Sequence, residues 1–203
     1  MPIPLPSGPF LAYLFDCDGT IADSMPLHYI AWSQALAEHN CPFPEPLFYS
    51  WGGMPADQAI DTLNRQYHLA MPIQQVADRK ESLYYDLLPQ LQPVPEVLEH
   101  ILLSHGKIPF AVVSGSTNES VVKSLETLNL LHLFDTLVCA GDYTHPKPHP
   151  EPYLLAAQRL SVAPQHCLVF EDTDLGIQSA TAAGMASIKI PQPHERNKPT
   201  NLL

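Results

Sequence analysis

Basic residues are scarce: ten Lys and Arg stand against 21 Asp and Glu, the formal charge is −11, and no Lys- or Arg-rich run occurs. That balance excludes a nucleic acid or an anionic membrane surface as the partner, since each needs an extended cationic patch. A small anion can still bind at a local cationic spot. Cysteine is sparse too. Cys17, Cys41, Cys139 and Cys167 are widely separated, three of them in or beside apolar runs, which excludes a paired metal knuckle and a disulfide framework. Buried free thiols in a reducing compartment account for them. The ten histidines are scattered, with no pair at zinc-motif spacing, and are expected mostly on the surface or in loops. No apolar run approaches membrane-spanning length, and Met1-Pro2-Ile3-Pro4-Leu5-Pro6 has neither the charged start nor the long apolar core of a secretory leader. The expectation is a soluble, cytoplasmic protein without repeats or low-complexity segments, and nothing demands more than a monomer.

What is present is a chain of 203 residues with 45% hydrophobic content, enough for one good core and a small second one. The apolar run Phe10-Leu11-Ala12-Tyr13-Leu14-Phe15 reads as a fully buried strand, and it ends abruptly in Asp16-Cys17-Asp18-Gly19-Thr20. Ligands of open α/β sheets bind at the carboxyl ends of strands, so a carboxylate pair there suggests chemistry. An Asx-type turn closing the strand is the structural alternative.

Behind this strand, Leu27, Ile30, Ala31, Leu36 and Ala37 form a stripe at helical spacing, with Pro26 near its start, for a helix that ends near His39-Asn40. From Cys41 to Pro55, prolines, aromatics and Gly52-Gly53 read as loop. Two more helices are expected around Ala59 to Tyr67 and Val76 to Leu88. Residues 25–92 therefore look all-helical, bracketed by Pro26 and by Pro89 through Pro95, as an inserted domain would be. After Pro95, strands at Phe110–Val113, Thr136–Cys139, Cys167–Phe170 and Ala186–Ile190 alternate with helices at 96–104, 120–130, 152–160 and 175–183. That rhythm implies a parallel sheet covered on both faces. The tail from Pro191 is expected to be loosely held.

Each strand is followed by polar residues. Ser114-Gly115-Ser116 and Asn118 offer hydroxyls and unhindered N–H groups where a helix begins, which can cradle an oxyanion, although Ser116 or Asn118 could equally be a helix cap. Lys147 lies between Pro146 and Pro148, a fixed cation in an acidic protein and a reasonable phosphate ligand. Glu171-Asp172-Thr173-Asp174 either charges the start of the next helix or joins Asp16 and Asp18. Four carboxylates in one cleft would repel one another unless a divalent cation lay among them, and oxygen-only ligands point to Mg²⁺ rather than zinc.

The succession Asp16-x-Asp18-Gly19-Thr20, Ser114, Lys147 and Glu171-Asp172, each after a strand, resembles the haloacid dehalogenase (HAD) superfamily over about Phe10 to Ile190. The helical insert resembles the cap of its β-phosphoglucomutase-like branch. The resemblance implies an α/β fold with a Rossmann-like HAD core of parallel sheet (1–23 and 93–203) and an inserted all-helical cap domain (24–92). It implies Asp16 as nucleophile, Asp18 as general acid and then base, and Ser114 and Lys147 as ligands of the phosphoryl oxygens. Mg²⁺ would be held by Asp16, the Asp18 carbonyl and Asp172, with Glu171 nearby.

His28 and Trp32 resemble site-facing cap positions, with a surface histidine and a core tryptophan as the structural alternatives. Gly52-Gly53-Met54 resembles the substrate loop, in which Gly53 can set backbone N–H groups against a substrate, and Lys80 falls where the branch has a cap lysine. Gly19, Thr20 and Gly115 complete the expected phosphate- and substrate-binding set. True β-phosphoglucomutases have an arginine soon after the glycine loop; here Met54-Pro55-Ala56-Asp57 has none, and Arg65 lies too far along. The expected function is a Mg²⁺-dependent phosphatase of a small phosphorylated metabolite, a sugar phosphate, with a β-phosphoglucomutase-type phosphotransferase and a non-catalytic HAD-fold binding protein as alternatives.

Overall fold

The computed structural model describes residues 3–51 and 54–196. At its centre lies an all-parallel sheet of β1 (Ala12–Phe15), β2 (Phe110–Thr117), β3 (Thr136–Ala140), β4 (Cys167–Glu171) and β5 (Ala186–Lys189), in the order β3-β2-β1-β4-β5. Side chains of β1 alternate between the two faces. Tyr13 and Phe15 join Phe110, Val112, Leu168 and Phe170 on one face, whereas Ala12 and Leu14 join Ala111, Val113, Cys167 and Val169 on the other.

Helices α5 (Pro95–Ser104) and α6 (Asn118–Thr127) cover the aromatic face with Val97, Ile101, Val121 and Leu125. The opposite face carries smaller side chains, and α7 (Glu151–Arg159) and α8 (Asp174–Ala182) cover it through Tyr153, Ala156, Ala157 and Ala180. Covering on both sides explains why the strands read as continuous apolar runs. Local signals start the helices: prolines stand in the first turns of α5 and α7, while the Thr117 and Thr173 hydroxyls accept the amides of Ser120 and Gly176 at the starts of α6 and α8. From β1 the chain builds outward to β2 and β3, then crosses to β4 and β5 on the other side. The reversal falls between β1 and β4, where open α/β sheets form their ligand crevice.

Between β1 and β2 come α1 (Met25–Ala37), α2 (Glu45–Ser50), α3 (Ala56–Tyr67) and α4 (Ile73–Leu87), and no strand is found among the described residues of this stretch. Trp32, Leu36, Phe48, Ile60, Leu63 and Val76 form its own apolar core. A second cluster, with Leu27, Ala31, Tyr84 and Leu88, joins the helices to Ala22 and Leu91 at the two connections. These connections are paired: the Asp23 amide donates to the Gln92 carbonyl at 2.8 Å and the Val94 amide to the Ile21 carbonyl at 2.9 Å.

Several expectations are corrected. Helix α2 forms inside the stretch read as loop, where Phe48 is its one buried residue, too few to show a periodic stripe. Strand β2 continues through Ser114-Gly115-Ser116-Thr117, with a shift of register between Val113 and Thr117, so these residues extend the strand instead of following it. Thr117, rather than Ser116 or Asn118, caps α6. The start of the tail is held: in the short helix α9 (Pro193–Arg196), Arg196 pairs with Asp23 at 3.1 Å and reaches the Gly19 carbonyl at 3.5 Å. Among the described residues two histidines, His28 and His100, are buried, and His145 and His149, at H-x3-H spacing, both approach Glu151 Oε2, contrary to the expectation of no pair at zinc-motif spacing. All four cysteines are buried and free. Among the described residues no helix is long and apolar enough to cross a membrane.

Phe15 is fully buried and stacks on Phe170 with ring centroids 4.6 Å apart. Phe15→Ala is expected to cost about 3–5 kcal/mol in urea unfolding. A loss under about 1 kcal/mol would mean that this face is not the main core.

Candidate active site

The apolar strands β1, β2 and β4 stop or change register at one edge, and the first polar side chains there meet. The buried Lys147 ammonium donates to Asp16 Oδ1 at 2.7 Å, to Glu171 Oε1 at 2.7 Å and to the Val113 carbonyl at 2.9 Å. All three donors of the ammonium are thus used. Burial would drive the lysine toward neutrality, but Asp16 and Glu171 outweigh it and hold the pKa well above the usual value, so the group is a cation. Burial pushes the Asp16 carboxyl up to about 7; Lys147 opposes this, while Glu171 and Asp18 add to it.

Glu171 is committed to protein donors through both oxygens. Oε1 accepts from Lys147 and from the Tyr153 hydroxyl at 3.2 Å, and Oε2 accepts from the Thr173 amide at 2.8 Å and hydroxyl at 2.9 Å. In this arrangement the carboxylate fixes Lys147. Gly176 makes room for it, since a Cβ there would lie 1.7 Å from Oε1.

Asp18 faces the helical insert. Its Oδ1 accepts from the Ser24 hydroxyl at 2.7 Å and from His28 Nε2 at 3.0 Å, and its Oδ2 accepts from the Ser116 hydroxyl at 2.8 Å. Burial alone would raise its pKa, yet His28 and the two hydroxyls bring it well below the usual carboxylate range. His28 is itself shifted downward, first by burial and then by Lys80. Its ring stacks on Tyr84 at 3.9 Å, and the Tyr84 hydroxyl meets Ser124 on α6 at 2.8 Å.

Asp172 presents the features of a cation ligand. It is fully buried, its Oδ2 has no hydrogen-bond partner, and a Cβ on Gly19 would lie 2.4 Å from that oxygen. Gly19 also has φ +88°, so both space and backbone require glycine. Burial, then Asp16 and Glu171, push the Asp172 carboxyl well up, the signature of an anionic oxygen lacking a counter-charge. An oxygen-only set at Asp16, Asp172 and the Asp18 carbonyl fits a hard divalent cation.

The remaining expected residues divide. Ser114 is buried at this edge, its Oγ accepting the Ser116 amide at 3.0 Å, and Thr20 makes a long 3.5 Å contact to Asp172 Oδ1. Gly115 is exposed in open space, and exposed Asn118 points its amide at Cys139 Sγ, 3.9 Å away. Trp32 packs with Phe43 inside the helical insert, which favours the core reading. Lys80 is buried, ion-paired with Glu81 at 3.0 Å and close to the Tyr84 ring. Gly53 lies outside the described residues. Ser24, Tyr84, Tyr153 and Thr173 were not foreseen; of these, only Ser24, next to the first connection, had a position in the sequence that could have marked it.

Fold and chemistry together define an enzyme of the α/β class, a hydrolase of phosphoric monoesters. More particularly, the chain belongs to the haloacid dehalogenase-like hydrolase family, whose model matches residues 13–190. It is 36% identical over 184 residues to the fructose-1-phosphate phosphatase YqaB of Escherichia coli (strain K12), covering 89% of this chain and 96% of the relative. It is 28% identical to a phosphorylated carbohydrates phosphatase of Thermotoga maritima, covering 87% of this chain and 83% of the relative. The solved β-phosphoglucomutase of Clostridium difficile superposes with a TM-score of 0.80 at 25% identity, over 93% of this chain and 88% of that one. The superposition shows a shared α/β fold, a parallel five-stranded sheet with helices.

Gly176→Ala sets a methyl group against Glu171 and is expected to destabilise the protein by about 1–3 kcal/mol, read by thermal or urea unfolding. Wild-type stability in that variant would contradict the placement of Glu171.

Proposed function

We propose that this protein is a Mg²⁺-dependent phosphatase of a small phosphorylated sugar, working through an aspartyl-phosphate on Asp16. The observation that carries the reading is the pairing of Asp16 with the buried ammonium of Lys147, beside a second aspartate, Asp18, held by donors from both core and insert. A carboxylate can approach a phosphate dianion only where cations offset the repulsion, about 4 kcal/mol per charge pair at 4 Å near a protein surface. Lys147 supplies one such cation. Bound by Asp16, Asp172 and the Asp18 carbonyl, Mg²⁺ would neutralise further charge on the phosphoryl oxygens.

Asp16 then attacks phosphorus, the bond to the leaving oxygen breaks, and Asp18 gives that oxygen its proton. In the second half Asp18 takes a proton from water as the water attacks phosphorus, and the bond to Asp16 breaks to release phosphate. The three hydrogen bonds seen on Asp18 suit the anionic form that deprotonates water. Its acid form requires them to rearrange, and two of them come from Ser24 and His28 of the insert. Residues 24–92 accordingly serve as the cap, hinged at the paired connections, and cap position is linked to the state of Asp18. Ser114 keeps its hydroxyl proton for a phosphoryl oxygen.

Sugar phosphates are favoured by the names of the relatives, a fructose-1-phosphate phosphatase and a phosphorylated carbohydrates phosphatase. Hydrolysis is favoured over transfer because the sequence after the glycine pair, Met54-Pro55-Ala56-Asp57, has no arginine to clamp a second phosphate, and Arg65, the next arginine, pairs with Asp61 at the surface.

Asp16→Asn is expected to abolish phosphate release from a sugar phosphate while the fold is kept, and survival of activity would rule out Asp16 as nucleophile. Chelation by EDTA should stop turnover and added Mg²⁺ restore it. With β-glucose-1-phosphate and its bisphosphate, free phosphate is expected; glucose-6-phosphate formed without phosphate release would establish the phosphotransferase instead.

A further inference from the structure

Between β3 and α7 the chain reads His145-Pro146-Lys147-Pro148-His149-Pro150-Glu151-Pro152, with proline at every second position. Each proline fixes its own φ and restricts the residue before it, so the segment has little freedom left to lose on binding. Its side chains part in two directions. Lys147 turns inward to Asp16 and Glu171, while His145, His149 and Glu151 stand on the outer surface. There, His145 Nδ1 is 2.7 Å and His149 Nδ1 3.9 Å from the same oxygen, Glu151 Oε2, and the two imidazole rings lie 4.6 Å apart.

The carboxylate is aimed by the backbone. Glu151 Oε1 accepts the Thr144 amide at 2.8 Å and Oε2 accepts the His145 amide at 3.1 Å. The Thr144 amide first, and the His145 ring next, hold the Glu151 carboxyl below the usual range, which keeps it anionic at neutral pH. One ligand atom from each of the three residues falls within 4.8 Å of the others. Beside them opens a surface depression of about 390 Å³, lined in part by His149, Glu151 and Leu154, with room for water.

We propose that His145, His149 and Glu151 form a second metal site, distinct from the catalytic one, that takes Zn²⁺ and clips together the two ends of the loop carrying Lys147. Two imidazoles and a carboxylate suit zinc, whose ligands lie about 2.0–2.2 Å from the metal and so about 3.3 Å from each other in a tetrahedron. The 2.7 Å contact has to open and the 3.9 Å contact to close by well under an ångström each. The hydrogen bond from the Glu151 amide to His149 Nδ1, at 3.2 Å, is the one interaction given up if that nitrogen binds the metal. Asp142, in the same depression, is occupied by Arg159 and the Cys139 amide, so the fourth position falls to water. Ligand chemistry separates the two sites: Mg²⁺ selects the all-oxygen set around Asp172, and imidazole selects zinc.

The test is calorimetric titration of ZnCl₂ into the full chain in excess MgCl₂, with thermal unfolding read in parallel. Wild type is expected to bind Zn²⁺ and to unfold at a higher temperature in its presence. His145→Ala and His149→Ala, both at exposed positions, should unfold like wild type without zinc, lose the zinc-induced shift, and bind on the order of tenfold more weakly or worse. Asp172→Asn should bind as wild type does. No zinc binding by wild type, unchanged affinity in both histidine variants, or loss of binding in Asp172→Asn would each overturn the proposal.

Discussion

One buried ammonium governs the arrangement. Lys147 lies between Asp16 and Glu171, and without it two carboxylates would face each other in the interior. Removing one partner of a buried pair costs about 3–5 kcal/mol, because the remaining charge is left uncompensated. Much of the surrounding structure positions this cation and its partners. The Val113 carbonyl accepts its third hydrogen bond, Tyr153 and Thr173 hold Glu171, and Gly176 lacks the side chain that would displace that carboxylate. The prolines on either side of Lys147 keep its backbone in place.

The sheet order makes these meetings possible. Because β1 has β2 on one side and β4 on the other, residues far apart in the chain reach one edge: Asp16 just after β1, Ser114 from β2 and Glu171 from β4. The faces differ in bulk, aromatic on one side and mostly smaller on the other. The insert enters directly after the loop that carries Asp16 and Asp18. Ser24 and His28 can therefore touch Asp18 without a long connection, and Arg196 braces the same entrance from the far end of the chain.

Much of this was legible in order along the chain. Buried parallel strands advertise themselves as short apolar runs, and the polar residues after them stand out by contrast, so Asp16, Asp18 and the Glu171-Asp172 pair were visible as polar strand ends, and Lys147 by its flanking prolines. Short or irregular pieces were less visible. Helix α2 buries a single side chain, and β2 runs on through Ser-Gly-Ser-Thr, a string that ordinarily signals a turn. The difference between Glu171 and Asp172 was also hidden, because two adjacent carboxylates look alike until their partners are known. One is fully hydrogen-bonded to protein donors, and the other keeps a bare buried oxygen.

The sequence by itself determined the alternating α/β plan, the helical insert and the residue types that could do phosphoryl chemistry, since these depend on local periodicity and on what each side chain can donate or accept. Tertiary structure alone decided which carboxylate holds the lysine, which of them suits a cation, how Asp18 is kept anionic, and that two histidines and a glutamate share the outer face of the Lys147 loop. The physical reason is that pairing and desolvation depend on distances between segments far apart in the chain, and no local pattern encodes them.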